Sequence, residues 1–218
     1  MKPPRVAPLE RPRIPPDISP GTGPPLEDEA EFASVILSDM DFGRKSAGRV
    51  VFDQVIFRHV SFSGARLPDM RMSDARLEGC DLSGALVQKA RWHRVELVGC
   101  RLTGMQLFEF HGEDLTLREC MMENAMLTSG RLRSVRFERC NMRRALLDRM
   151  DLSGSSFLNC DLGGADLSGS KLKGADFRGS DLFGLRVEGR QLQGAVIDTL
   201  QGVQIAALLG MTVKDPLD

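Results

Sequence analysis

The chain has 218 residues and a formal net charge of −1 at pH 7, from 29 Lys and Arg against 30 Asp and Glu. This near-neutrality argues against a chain that projects a strong field of one sign along its length. The sequence contains no apolar run of the kind found in transmembrane spans or secretory signal peptides. We therefore expect a protein of the cytoplasm that does not enter the membrane.

The first 29 residues form a proline-rich segment that holds nine of the eleven prolines of the chain. Its apolar content is too low to build a packed core. We expect residues 1–29 to be a disordered or extended tail. The alternative is a polyproline-type docking segment or a tether.

From about residue 30 onwards the sequence follows a five-residue repeat of small, polar, large apolar, polar and glycine. The clearest copies are Ala165–Gly169, Ser170–Gly174 and Ala175–Gly179. The large apolar centre keeps the same phase from Phe32 to Ile197. A period of five fits neither an α-helix nor a flat strand, and such a repeat fixes the whole fold. The glycines after many centres suit corners that need a positive φ.

The cysteines indicate how many corners make one turn. All five occupy the small inward position, and each lies 20 residues after the one before: Cys80, Cys100, Cys120, Cys140 and Cys160. A coil of four five-residue sides stacks them in a single column. They are then buried, reduced core residues rather than a disulfide framework. With a rise of about 4.8 Å per coil, about eight coils make a rod of roughly 40 Å.

The blocks Ala165–Gly169 and Ala175–Gly179 resemble the consensus of the pentapeptide-repeat proteins, and the resemblance extends from about residue 30 to the C-terminus. It implies an all-β fold, a right-handed quadrilateral β-helix, over residues 30–198. An open end of such a coil exposes unpaired strand edges. We therefore expect residues 199–218 to form a cap.

Two stretches depart from the repeat. Segment Gly43–Gly48 places Lys45 and Ala47 where an apolar pair belongs, and we expect a loop that bulges from the start of the rod. Further along, Gly112 replaces a large centre while Phe110 occupies a position that is usually small. Either Phe110 fills the space that the glycine leaves, or the chain forms a local bulge of the kind that carries function.

Beyond the last repeat, residues 199–209 are typical of a short helix, with Asp198 or Thr199 as its N-cap and Gly210 as its end. This helix has hardly any polar face, so it needs cover on more than one side. The last coil can supply one cover, and a second subunit is the natural source of the other. Met211–Val213 is expected to add a short strand. We expect a homodimer with an interface that contains Leu200, Val203, Ala207, Leu208, Leu209 and Val213.

The resemblance implies the same assembly, because several pentapeptide-repeat proteins dimerise through a C-terminal helix.

Catalytic chemistry, in contrast, has no support in the sequence. His59, His93 and His111 fall at outward positions on different coils, and no outward cysteine accompanies them as a metal ligand. The recurring Asp and Ser residues belong to the repeat itself. We expect no enzyme activity, no metal and no cofactor.

Folding the sequence on its 20-residue period assigns each outward residue to one side of the rod. One side is mildly basic and includes Arg71, Arg91, Arg131 and Lys171. The side before it carries outward apolar residues on successive coils: Leu86, Phe108, Met126 and Leu146. Such an apolar row is a stronger sign of a protein partner than the charges are. The alternatives are a solvated basic face and an apolar row that is covered by the tail or by a loop.

Two functions remain. The first is a non-enzymatic protein-interaction scaffold, a rigid dimeric rod. The second follows from the resemblance, because some pentapeptide-repeat proteins mimic duplex DNA, bind DNA gyrase or topoisomerase IV, and give quinolone or toxin resistance. A mimic needs a strong negative field, whereas residues 31–198 carry 24 Lys and Arg against 23 Asp and Glu. Nucleic-acid binding by the basic side is weaker still, because aromatic residues for base stacking are missing there. The scaffold ranks first.

Overall fold

A computed structural model describes residues 9–214 as a parallel β-solenoid of about seven turns, followed by one short helix. This is the all-β architecture that the repeat predicts. Within these residues no helix has the length and hydrophobicity of a membrane span. The elements in chain order are β1 (Ser19–Pro20), β2 (Glu31–Ser38), β3 (Val51–Arg58), β4 (Arg71–Glu78), β5 (Leu86–Gln88), β6 (Arg91–Val98), β7 (Gln106–Phe108), β8 (His111–Arg118), β9 (Met126–Thr128), β10 (Arg131–Glu138), β11 (Leu146–Asp148), β12 (Ser156–Leu158) and α1 (Thr199–Leu208).

The strands lie in two parallel sheets. Strands β1, β2, β3, β4, β6, β8, β10 and β12 form one sheet, and β5, β7, β9 and β11 form the other. Paired residues on neighbouring coils are 20 positions apart, as in Phe52 with Met72 and Trp92 with Gly112. This register confirms the 20-residue coil. We call the side that holds residues 91–93 and their equivalents the first side, and the side that holds residues 106–108 the fourth.

The chain turns at every fifth residue, where the backbone adopts a left-handed conformation. Glycine supplies it at Gly64 (φ 65°) and Gly84 (φ 64°), as the repeat predicts. At equivalent corners Asp74 and Arg94 both have φ 51°. A left-handed residue with a side chain costs about 1–2 kcal/mol. The residues on either side of these corners are paired between coils, Ser73 with His93 and Ala75 with Val95, and this pairing holds the corners in place.

The interior is filled by the repeat centres and by the small residues two positions before them. Phe137, Phe157 and Phe177 stack with ring centroids 4.9 and 5.1 Å apart, which is the rise of one coil. The five cysteines occupy the small inward position of successive coils. Each is at most 3% exposed, and none forms a disulfide.

The segment Gly43–Gly48 is not the loop that the sequence predicts. The Arg44 and Ala47 amides donate to the carbonyl oxygens of Ser63 and Arg66 on the next coil, at 2.8 and 3.0 Å. Ala47 is fully buried. Segment Gly43–Gly48 therefore follows the regular path of the coil although its sequence matches the repeat poorly. Its backbone hydrogen bonds to the neighbouring coil hold it there.

At Gly112 the structure favours space filling over a bulge. Strand β8 passes through this position in unbroken register with the strands on both sides. A Cβ atom built on Gly112 would come closest to Leu115 Cδ1, and it would lie 2.9 Å from Leu132 Cδ2 and 3.2 Å from Phe110 Cε1. The Phe110 ring packs edge-on against Trp92, with centroids 5.1 Å apart. Phe110 thus occupies part of the volume that a large centre would need.

The described part of the proline-rich segment, which was expected to be disordered or extended, lies along the rod. Residues 9–21 run along the corner between the first and second sides, extended except for a turn at Pro16–Asp17, and we call this stretch the N-terminal strap. Strand β1 within it pairs in parallel with β2, and Leu26 beyond it belongs to the core. Prolines favour this extended backbone, and the pairing covers an edge of the sheet. Residues 1–8 of the predicted tail lie outside the described range.

Carboxylates at the corner of the rod hold the strap in place. The Glu10 amide donates to Asp114 Oδ1 at 3.2 Å, and the Arg13 amide donates to Asp74 Oδ1 at 2.8 Å. Asp74 also accepts two hydrogen bonds of 2.6 Å from the Arg94 guanidinium. Burial opposes the charged form of Asp74, but the hydrogen bonds from Arg94 and Arg13 outweigh it and hold the pKa of this carboxyl below its ordinary value.

Helix α1 packs against the C-terminal end of the coil. Asp198 is its N-cap and accepts from the Gln201 amide at 3.0 Å, while Gln201 Oε1 accepts from the Asp198 amide at 2.9 Å. The Gln201 side chain also donates to the carbonyl oxygens of Phe177 and Ser180 on the last coil. Gly210, with φ 79°, follows the end of the helix. Both of the predicted helix boundaries are confirmed.

Candidate partner-binding surfaces

The first side of the rod carries a column of mostly basic residues, one on each coil. Its order along the axis is Arg71, Arg91, His111, Arg131, Asp151 and Lys171. The four residues expected on the basic side therefore share one column, with His111 and Asp151 between them. Parallel pairing places neighbouring members about 4.8 Å apart at the backbone. Arg71 and Arg91 are thus like charges on adjacent strands, an arrangement that destabilises a sheet unless it is compensated.

Three hollows run along this column, and His111 lines all of them. Their volumes are about 380, 210 and 400 Å³. Together they reach from Arg71 at one end to Lys171 at the other, and we call this trough the basic groove. The residues around its central hollow include Arg91, Trp92, Glu113, Arg131 and Arg133.

Most cations of the basic groove have no ion-pair partner. Of the seven cations that line the three hollows, five have no carboxylate oxygen within 4.0 Å in the part of the chain from residue 9 to residue 214: Arg71, Lys89, Arg91, Arg133 and Lys171. The other two are paired, Arg131 with Asp151 at 3.2 Å and Arg149 with Asp148 at 2.8 Å. Elsewhere on the rod arginine often pairs one coil away, as Arg139 does with Glu119 at 2.8 Å. The groove therefore keeps positive charge that no carboxylate of the described residues compensates. On much of the remaining surface, in contrast, the arginines are paired with carboxylates.

His111 lies at the centre of the groove with one edge of its ring fixed. Its Nδ1 atom is 3.1 Å from the carbonyl oxygen of Glu109, and a proton on Nδ1 is donated to that oxygen. The Nε2 atom has no hydrogen-bond partner among the described residues. Because imidazole is shorter than an arginine side chain, it leaves room between the guanidinium groups of Arg91 and Arg131.

Trp92 is the only tryptophan of the chain and is among the residues that line the central hollow. It is 3% exposed, and its indole Nε1 has no hydrogen-bond partner within the described range. An unsatisfied buried donor costs about 1–3 kcal/mol. The position places a single fluorescent side chain directly at the groove.

The apolar residues expected to form one row lie in two columns. Leu86, Met126 and Leu146 share a column on the fourth side, with Gln106 between the first two. Phe108 lies in the next column, nearer the corner that leads to the basic groove. All four are half-buried rather than fully exposed, because each has neighbours one coil above and below, at about 4.8 Å. The N-terminal strap follows a different corner of the rod.

The outer face of α1 and the residues after it are apolar and open to solvent. We call this surface the C-terminal face; its large residues are between 45% and 83% exposed and are Leu200, Val203, Leu209, Met211 and Val213. Ala207 is exposed as well. Leu208, expected at the same interface, instead packs against the core beside Ile205. Residues 211–214 are irregular, so the strand expected there does not form.

The described residues hold no group of three or more His, Cys, Asp or Glu that is placed to bind a metal ion. His93 Nε2 lies 3.8 Å from Asp114 Oδ2, next to the N-terminal strap. Sequence reasoning left His111 out of the basic side. The signal was its spacing, because it lies 20 residues after Arg91 and 20 before Arg131.

Sequence models of one protein family match the repeat region. The model described as "Pentapeptide repeat region" matches residues 70–147 and 90–167, and the model "Pentapeptide repeats (8 copies)" matches residues 160–196. Together they cover residues 70–196, which is more than half of the chain. No curated protein matches the sequence.

Several solved structures are similar to this chain. HetL, a pentapeptide repeat protein involved in heterocyst differentiation regulation from Nostoc sp. strain PCC 7120, is 25% identical over 78% of this chain and 88% of its own, with a TM-score of 0.37. QnrB1, a plasmid-mediated fluoroquinolone resistance protein, is 17% identical over 85% and 100%, with a TM-score of 0.36. A protein of the Arabidopsis thaliana thylakoid lumen is 22% identical over 53% and 63%, with a TM-score of 0.30. On the family models and its 20-residue coil, the chain belongs to the pentapeptide-repeat family.

Proposed function

We propose that this pentapeptide-repeat protein is a non-enzymatic protein-interaction scaffold, a homodimeric rod that presents its sides to a protein partner. The observation that carries the proposal is the C-terminal face, where five large apolar side chains are open to solvent. Patches of this kind mark protein interfaces. The free thiols of the core fit a reducing compartment, and we place the scaffold in the cytoplasm.

A second copy of the chain is the partner that suits the C-terminal face. The inner side of α1 is already used, because Ile205 and Leu208 pack on the last coil. A twofold axis at the outer side would bring Leu200 and Val203 against the same residues of the second copy. Burial contributes about 1.5–3 kcal/mol for each large side chain. Such a joint leaves the sides of both rods free.

The lateral surface available to a partner combines apolar and basic parts. The fourth side, with the apolar stripe of Leu86, Phe108, Met126 and Leu146, meets the basic groove along one corner. That corner is formed by Lys89, Glu109, Ser129 and Arg149. We propose the stripe as the apolar half of the partner-binding surface and the groove as its basic half.

A DNA mimic that binds gyrase or topoisomerase IV is less well supported. A mimic must offer a continuous negative field. Acidic residues of the rod are instead neutralised locally, as Glu119 is by Arg139 at 2.8 Å and Glu138 is by Arg118 at 3.1 Å. The charge that remains unpaired in the basic groove has the opposite sign.

Replacing both Leu200 and Val203 by Lys should convert the dimer to a monomer, because four ammonium groups would meet at the joint. Sedimentation velocity at micromolar concentration measures the change. The matched control is Met121→Lys, an equally apolar residue that is 46% exposed in the middle of the rod, and this variant should remain dimeric. A wild-type protein that is already monomeric at micromolar concentration would overturn the dimeric scaffold.

A further inference from the structure

We infer that the basic groove binds an acidic peptide segment that carries a phosphate group, and that Arg91 and Arg131 hold the phosphate above His111. The inference rests on the proposed scaffold function and names the class of partner. Its first support is charge. The guanidinium of Arg91 has no carboxylate within 4.0 Å in residues 9–214. Arg131 donates from Nε and Nη2 to Asp151 Oδ2 at 3.4 and 3.2 Å, so the phosphate replaces Asp151 as the partner of Arg131.

The spacing of the two arginines suits a tetrahedral dianion. They lie on strands β6 and β10, two coils apart, with only β8 between them. At about 4.8 Å per coil, their backbones are about 9.6 Å apart. Two guanidinium groups that reach inward from these positions can each donate two hydrogen bonds to one phosphate. A single carboxylate has two oxygens and is satisfied by one arginine.

The short side chain of His111 makes room for such a group. Strict register places the backbone of His111 directly between those of Arg91 and Arg131. Its Nδ1 atom is engaged with the Glu109 carbonyl, which turns the ring and leaves Nε2 without a partner in the described chain. Arg133, on the next column of β10, is a further cation without a carboxylate partner in residues 9–214.

The length of the groove points to an extended chain rather than to a free anion. From Arg71 to Lys171 it covers five coils, which is about 24 Å. This matches about seven residues of extended peptide. The unpaired cations at both ends would meet acidic residues on either side of the phosphate. Phe108, across the corner, offers an apolar contact to the same segment.

The same surface suits a nucleic acid poorly. Single strands are bound by aromatic side chains on which bases stack. Trp92 is the aromatic residue among those that line the three hollows, and it is buried. Four carboxylates also line the hollows, those of Asp69, Glu109, Glu113 and Asp151. They interrupt the cations that a continuous phosphate backbone would follow, whereas a peptide with a single phosphate needs only the cations around His111.

The test uses the full-length protein and a fluorescent eight-residue peptide of Asp and Glu with one central phosphoserine. Anisotropy titration compares it with the same peptide carrying serine. The phosphopeptide should bind at least about tenfold more tightly. The double variant Arg91→Gln/Arg131→Gln should lose at least about tenfold of that affinity. Arg101→Gln is the matched control, because Arg101 is exposed on another side and has no carboxylate within 4.0 Å in the described chain.

Four results would overturn the inference: equal binding of the serine peptide, unchanged binding by the double variant, tighter binding of an oligothymidine of equal charge, or full displacement by inorganic phosphate at the concentration of the phosphopeptide. The dimer is measured separately by sedimentation. A monomer that still captures the phosphopeptide contradicts only the dimeric joint. A stable dimer that does not bind the phosphopeptide contradicts only the proposed binding in the basic groove.

Discussion

Replacing Cys120 by Arg should destabilise the rod by about 3–5 kcal/mol, because it would place an unpaired charge inside a packed core. Cys120 is 1% exposed, and Cys100 and Cys140 occupy the equivalent inward positions on the coils before and after it. No carboxylate is available in this column. Urea denaturation followed by circular dichroism measures the loss.

The control for this change is Met121→Arg, which puts the same side chain one position along the chain. Met121 is 46% exposed, so this variant should unfold within about 0.5 kcal/mol of the wild type. If Cys120→Arg were equally harmless, the cysteine would have to face outwards. The assignment of residues to the inside and outside of the rod would then be wrong.

Replacing Gly112 by Leu should also destabilise the protein, although leucine is the commonest centre of the repeat. A Cβ at this position would clash first with Leu115 Cδ1, and it would also lie 2.9 Å from Leu132 Cδ2 and 3.2 Å from Phe110 Cε1. Overpacking of this kind costs about 1–3 kcal/mol. Phe110→Ala alone should cost about 3–5 kcal/mol, because it removes a buried ring that packs on Trp92.

The double variant Phe110→Ala/Gly112→Leu restores the usual small and large pair, and it tests whether the two residues compensate for each other. Its destabilisation should be smaller than the sum of the two single changes by more than about 0.5 kcal/mol. Thermal and urea unfolding of the four proteins give this coupling free energy. Strict additivity would show that Phe110 and Gly112 depart from the repeat independently.

The sequence predicts the coil well because its periodicity couples each residue to the one 20 positions away. The stacking of Phe137, Phe157 and Phe177 follows directly from that spacing. The cap of α1 is equally local, since Asp198 and Gln201 are three residues apart and satisfy each other's backbone amides.

Contacts between segments far apart in the chain could not be predicted in this way. The N-terminal strap is ordered by Asp74 and Asp114, which accept its amide protons across 61 and 104 residues of sequence. Composition alone gives no sign of these acceptors. Leu208 was expected at the dimer joint, and its packing against the core, where it is partly buried, was not predicted.

The sequence predicted which residues of the candidate site share one side of the rod, but it did not predict the shape of the basic groove. Spacing alone placed Arg71, Arg91, Arg131 and Lys171 on one side. The trough around His111 depends on how far each side chain reaches and on which cations find carboxylates. The 20-residue period determines neither of these two properties.

The most direct test of the 20-residue register is the reactivity of the five thiols. All five thiols are buried. Four of them also donate to a carbonyl oxygen of the preceding coil, at 3.3–3.6 Å: Cys80, Cys100, Cys120 and Cys140. A thiol buried in apolar surroundings is inert, because reagents do not reach it. Titration of the native protein with an aromatic disulfide should therefore show slow reaction, and denaturant should release five reactive thiols at once. Rapid labelling of one or more thiols in the folded protein would contradict the buried column and the sides assigned from it.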